Sequence, residues 1–367
     1  MAHLQQIIIA AISSRAYVQA AVRAGFEVIA IDAFADVDTQ LLAKKVYQCP
    51  VINGQFVVNA LMAILQHIDL NAQLGFCYGA GFEAQPNLLT QIAAYLTVIG
   101  NSAQVVQNCK QPQLFFKHCD SLGMRYPETQ FMRPLHTKNW LEKAIGGSGG
   151  LHIKALLPLN CLQQLPQNNQ LYYQQKQNGM AISCLFLANQ QYAQVLGFNE
   201  QWQSKTALFS YRYGGAVSHI DIPQECQDNI ENFVIKMTKI LGLKGINSAD
   251  FIWQDDQLFA LELNPRLSAT LDLYRAQKGD LFAAHVAACL GNLQDWPVAD
   301  KKSRAHHIVY ANKPAFVPTI MEWPNWVCDI PQPNSHIAAG APICTVLADA
   351  RTPKLASQKV KQRVALL

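Results

Sequence analysis

Two apolar runs, at 248–253 and 258–263, are separated only by the polar turn 254–257 and so fold back on one another as consecutive strands. The hairpin carries Asp250 on one arm and Glu262, Asn264 and Arg266 at the end of the other. Consecutive strands bring Asp250 beside Glu262, and residues two apart share a strand face, so Glu262 and Asn264 point the same way. Three oxygen donors converge. Hard cations such as magnesium are held by one or two carboxylates together with substrate phosphates, which makes Asp250, Glu262 and Asn264 candidate metal ligands. Arg266 faces the same crevice, where its planar fork can neutralise a transferring phosphoryl group or anchor a carboxylate. A surface strand with a charged face that ends at Pro265 reads the same way, so other parts of the chain must decide.

About a hundred residues upstream, Lys143 precedes the run Gly146-Gly147-Ser148-Gly149-Gly150, set between a short strand at 139–143 and a returning strand at 152–156. Glycines let backbone N–H groups close over phosphate oxygens, and a lysine at the base supplies positive charge. No G-K-[ST] follows, so this is not a Walker A loop. A flexible hairpin tip has the same composition.

The N-terminus reads as strand 6–12, helix 15–24 stopped by Gly25, and strand 26–31 closed by Asp32, a βαβ unit. It lacks the G-x-G-x-x-G of a dinucleotide site. A helix at 58–68, a strand at 74–78 and the loop 79–83 continue a parallel sheet. Ligands gather at the carboxyl ends of such strands, which puts Arg15 and Glu83 near one crevice as candidate substrate contacts. Farther on come a helix at 113–122, a surface loop at 163–170, strands at 171–175 and 181–188, a helix at 224–241 ending at Gly242, and a helix at 281–290. The tail, with strand-like pieces at 306–311 and 343–348, reads as a small β-rich unit.

At 367 residues, half hydrophobic and 15% charged, the chain is long enough for two or three packed units. A formal charge of +4 with scattered Lys and Arg argues against a nucleic-acid partner. No apolar stretch approaches bilayer length, and a cytoplasmic protein is expected. The ten cysteines are spread singly, without C-x-x-C spacing, and are expected to be reduced and buried.

The order of these parts, a lysine and glycine-rich loop followed by an acid–Asn cluster, resembles the ATP-grasp superfamily. The run Lys143 to His152 resembles the lysine and glycine-rich loop of biotin carboxylase, and Asp250, Glu262, Asn264 and Arg266, spaced by 12, 2 and 2 residues, match that family's two acids, Asn and Arg. The resemblance implies an α/β fold of α+β ATP-grasp type: a Rossmann-like domain at 1–110, an ATP-grasp domain at 111–300 with its flap subdomain at about 127–190, and the tail at 301–367. It implies ATP with Mg2+, or Mn2+ in its place, as cofactors. It further implies that Lys143 and the glycine loop lie on the phosphates, that Gln174 and Gln175 run along the adenine, and that Arg266 and Lys143 act in catalysis.

Three departures stand out. A lysine that many relatives carry falls here near Leu114, leaving Lys110 and Lys117 as unassigned substitutes. The adenine strand ends in Gln174-Gln175 in place of an acid. The glutamate that acts on bicarbonate in biotin carboxylase corresponds to Thr270, which argues against that carboxylation. Together with the loops 79–83 and 211–214, which includes Arg212 as a third candidate substrate contact, and the tail 340–346, the chain is similar to predicted ATP-dependent carboligases associated with tetrahydromethanopterin-linked one-carbon metabolism. That likeness implies a ligase that activates a carboxylate as an acyl phosphate and joins it to an amine, with a homodimer as an expected assembly. A bicarbonate-using carboxylase and a non-catalytic ATP-binding regulator are the alternatives.

Overall fold

The computed structural model describes residues 5–158, 170–206 and 209–367; the loop expected at 163–170 lies outside them except for its last residue. Gln6–Ala11, Glu27–Asp32 and Gln73–Tyr78 are apolar strands that align in parallel, with Lys45–Gln48 on the outer edge. Helix Arg15–Arg23 packs Tyr17, Val18 and Ala21 onto one face of this sheet, and Gly25, at φ +87°, makes the turn back. Asp32 fixes the carboxyl edge: its Oδ2 accepts from the Ser14 N–H and hydroxyl, and its Oδ1 accepts from the N–H groups of Phe34 and Ala35.

A second, four-stranded antiparallel sheet carries the glycine loop. Trp140–Ala144 pairs with Ile153–Ala155 on one side and Leu171–Gln175 on the other. The third sheet has eight strands. Its centre is Met180–Asn189 between Ala193–Gln203 and Lys244–Gln254, and Gln257–Asn264 closes one edge. Helix Gln224–Leu241 covers one face with Ile230, Phe233, Val234 and Met237, and ends where Gly242 turns left-handed at φ +68°.

The tail departs from the expectation of a separate β-rich unit. Ser303–Tyr310 pairs with Tyr213–Ser218, and Pro342–Ala350 pairs with Ser303–Tyr310, so the tail strands extend the eight-stranded sheet. The chain then ends in a helix, Pro353–Val364, which buries Ala356 and Val360 against that extension. Among the described residues, no helix is long and apolar enough to cross a membrane, and the nine described cysteines are unpaired and buried.

Candidate functional site

The hairpin of Lys244–Gln254 and Gln257–Asn264 pairs Asp250 with Glu262, and a bulge beside that pair leaves Leu261 unopposed. Asn264 ties the two acids together, its Nδ2 donating to Asp250 Oδ2 at 2.9 Å and to Glu262 Oε1 at 3.3 Å. Gln201, on strand Ala193–Gln203 of the same sheet, donates to Asp250 Oδ1 at 3.2 Å. The three oxygen-bearing side chains therefore do converge.

Lys110 completes the cluster. It ends helix Ala103–Lys110 and sends Nζ to Asn264 Oδ1 at 2.5 Å and to Glu262 Oε2 at 3.1 Å. Lys117 is exposed on the next helix, so of the two unassigned lysines only Lys110 reaches the acids. Burial disfavours charge on both carboxyls. For Glu262 the ammonium of Lys110 more than offsets this and holds it below the usual carboxylate range, whereas burial and the charge on Glu262 push Asp250 up.

A narrow cavity lined by Lys110, Gly146, Gly147, His152, Tyr172 and Glu262 brings Glu262 and Lys110 together with the start of the glycine loop. Lys143 is buried beneath it, donates to Gln174 Oε1 at 2.6 Å, and has its pKa pulled down to about 8 by burial. Gln174 in turn donates to Thr129 Oγ1 at 3.0 Å. The glutamines alternate as strand neighbours must: Gln174 turns inward, and Gln175 turns out to Glu128.

Close packing accounts for most of the glycines. A Cβ on Gly146 would lie 2.6 Å from Ala84 Cα, and one on Gly150 would lie 1.9 Å from Tyr211 O, whereas Gly149 borders open space. The N–H of Tyr213 donates to Gly149 O at 2.9 Å. His152, whose ring presses on Gly147, keeps a buried Nδ1 with no partner, and burial lowers its pKa to about 4, so the ring is neutral. Lone histidines are poor sequence signals, and His152, like His136 and His219, is a tempting base in the sequence that spacing alone does not select.

Arg266 lies near the acids and is held by Glu83, Nε to Oε1 at 2.6 Å, with Nη1 on Leu267 O. Glu83 also accepts from the N–H groups of Gly81 and Phe82. The crevice expected for Arg15 is corrected. Arg15 is 4% exposed and clamps Asp272 through both terminal nitrogens at 2.9 and 2.7 Å, while Nε reaches Asp329 at 3.0 Å, so its donors are spent on protein. Arg212 is likewise consumed: it stacks 3.6 Å from the Tyr310 ring centre and donates to Gly340 O and Ser204 O. Both arginines are structural because tail segments that the sequence reading kept apart pack onto them.

Among the described residues, no cluster of three or more His, Cys, Asp or Glu side chains is placed to hold a metal. Two carboxylates and an amide oxygen are instead a set for a hard cation that takes its remaining ligands from phosphate and water, and they already gather round a positive charge.

Residues 113–270 match the ATP-grasp domain family. Over 353 residues the chain is 24% identical to the uncharacterized protein MJ0776 of Methanocaldococcus jannaschii, covering 92% of this chain and 86% of that one. Its fold is similar to that of the biotin carboxylase domain of Hydrogenobacter thermophilus 2-oxoglutarate carboxylase, a dimer in complex with MgADP, ADP and bicarbonate (TM-score 0.74, 12% identity, 99% of this chain and 90% of that one). It is also similar to N5-carboxyaminoimidazole ribonucleotide synthetase of Thermotoga maritima (TM-score 0.69, 11% identity, 99% and 98%). The chain therefore carries an ATP-grasp domain, set in a fold shared with the biotin carboxylases.

Proposed function

We propose that this protein is an ADP-forming ligase that activates a substrate carboxylate with Mg-ATP and transfers the acyl group to an amine. The reading is carried by one observation: Asp250, Glu262, Asn264 and Lys110 form a single hydrogen-bonded cluster, of which Glu262 and Lys110 line one cavity together with Gly146 and Gly147 of the glycine loop. In this reading Asp250, Glu262 and Asn264 hold magnesium. Lys143 and the backbone of Gly146, Gly147, Ser148, Gly149 and Gly150 lie against the phosphates, and Gln174 and Gln175 run along the adenine. A magnesium ion held by these residues would supply charge neutralisation to the transferring group. Lys143, kept on Gln174, and Arg266, kept on Glu83, are pre-oriented cations that need little reorganisation. A carboxylate oxygen attacks the γ-phosphorus as the bond to the bridging oxygen of ADP breaks. An amine then displaces phosphate from the acyl carbon and loses its proton. No Ser or Cys nucleophile is required.

Thr270, at the place of the bicarbonate glutamate, is buried with its hydroxyl on Ser268 Oγ, so no carboxylate supports bicarbonate chemistry there. The loops at 79–83 and 211–214 support the finer assignment to assembly of a tetrahydromethanopterin- or methanofuran-type cofactor. The test is magnesium-dependent ADP release by wild type and Glu262→Ala against glutamate, tyramine, pterin and furan precursors, with bicarbonate as a separate arm. Release stimulated by a carboxylate–amine pair, and reduced by about a hundredfold or more in the variant, is expected. Stimulation by bicarbonate alone would select the carboxylase reading, and nucleotide binding without turnover under every condition would select a regulator.

A further inference from the structure

We propose that Lys110 is a tethered cation that fills the divalent-metal position in the nucleotide-free protein and leaves it when a nucleotide arrives, making metal binding conditional on nucleotide. The inference deepens the nucleotide reading above and rests on it.

Three cations line the site, and they are held differently. Lys143 is held by the neutral Gln174, and Arg266 by Glu83, which lies outside the acid hairpin. Lys110 alone is held by the metal-ligand oxygens themselves, Glu262 Oε2 and Asn264 Oδ1. Magnesium binds oxygen at ~2.0–2.1 Å. An ion on both oxygens would occupy the space between them that Nζ now fills, so ammonium and metal exclude one another. Electrostatics agrees with this. Asp250 and Glu262 are neighbours in register, bridged by the neutral Asn264 amide, and Lys110 supplies positive charge beside Glu262 from within the protein.

The geometry also provides an exit. Lys110 is the last residue of helix Ala103–Lys110, so its flexible four-carbon stem can swing while the helix stays in place. The side chain is 5% exposed and does not lead to bulk water. It lines the cavity that also borders Gly146, Gly147 and His152. A phosphate group entering that cavity offers Lys110 a new anionic partner and vacates Glu262 and Asn264 for the metal. Metal alone would have to displace a buried ammonium without bringing an anion to receive it.

The experiment measures Mn2+ binding by electron paramagnetic resonance on the full-length protein, with and without ADP, for wild type and Lys110→Met. Wild type without nucleotide should bind Mn2+ at least about tenfold more weakly than with ADP. Without nucleotide, Lys110→Met should bind it at least about tenfold more tightly than wild type, a gain that Glu262→Gln in the same background removes. A nucleotide-free Lys110→Met no tighter than wild type overturns the proposal. Should that variant fail to fold, wild type decides alone: Mn2+ binding as tight without ADP as with it also overturns the proposal. Calorimetry of ADP on wild type separates the two readings, because absence of ADP binding with or without Mn2+ removes the nucleotide reading, while the metal comparison between nucleotide-free proteins still stands.

Discussion

The molecule contains two buried charge clusters of similar make-up and opposite character. At Arg15, one guanidinium is saturated by Asp272 and Asp329, with Arg15 and Asp272 side chains only 4% and 3% exposed. At Lys110, the cation is as deeply buried, yet its partner Glu262 is 36% exposed and faces a cavity. In the first, every polar group finds its partner within the protein. In the second, the ammonium sits on Glu262 while the adjacent Asp250 is met by amide donors and is pushed up by burial and by Glu262, an arrangement that improves when further positive charge arrives. Burial of charge therefore does not distinguish structure from function; what does is whether the cluster is complete.

The strongest way to break this contrast is to remove one member of each cluster. Arg15→Met removes the main partner of the buried Asp272 and of the partly exposed Asp329 and should cost ~3–5 kcal/mol at pH 7 by urea unfolding, whereas Glu262→Gln should cost about 1 kcal/mol. Equal losses would erase the distinction. The acid limb sharpens it. Burial opposes ionisation of Asp272, but Arg15 holds its carboxyl well below the usual range, so its contribution to stability is complete above the unfolded value of about 4 and is lost as pH falls through the depressed folded one. The gap between wild type and Arg15→Met should therefore narrow below about pH 4.

A smaller effect is expected at Lys143. Burial lowers its pKa to about 8, and a phosphate favours its charged form, so ADP affinity should hold steady below that value and weaken about three- to tenfold between pH 7 and pH 9. Lys143→Met should bind more weakly and lose the slope; a slope unchanged in the variant would place the titrating group elsewhere.

The smallest effect lies at the rim of the Arg15 cluster. Burial, and then the charge of Asp329, push Asp36 up to about 7. A carboxyl raised in the folded state makes the protein less stable as pH climbs from about 4 towards 7, with the loss complete above that. Asp36 caps helix Val37–Leu42 and Asn caps a helix about as well as Asp, so Asp36→Asn should gain on wild type in thermal unfolding as pH rises from about 5 to about 8.

Much of this was legible in the sequence because it is written locally. Helix Gln224–Leu241 and strand Leu171–Gln175 have the bounds their periodicity implies, and the turn 254–257 brings Asp250 opposite Glu262. What escaped is written at long range. Strand Ala193–Gln203 carries Gly197 against the Tyr274 ring and Gln201 towards Asp250, features that blur its alternation. Helix Pro353–Val364 buries only Ala356 and Val360, too narrow a stripe to register as amphipathic. Arg15 and Arg212 read as ligand-binding arginines because their partners, Asp272, Asp329, Gly340 and Tyr310, lie about one hundred to three hundred residues away in the chain. Lys110 was half visible, as one of two lysines of equal standing until folding buried one and exposed the other.

The seating of the glycine loop has a consequence of its own. Gly146 rests on Ala84, beside the Glu83 that holds Arg266, while Gly150 rests on Tyr211, beside the Arg212 that stacks on the tail. No side chain stands between the loop and either support, so a shift of either is transmitted as backbone pressing on backbone. The loop is seated on two distant segments at once, and a side chain at Gly146 or Gly150 would push it off one of them.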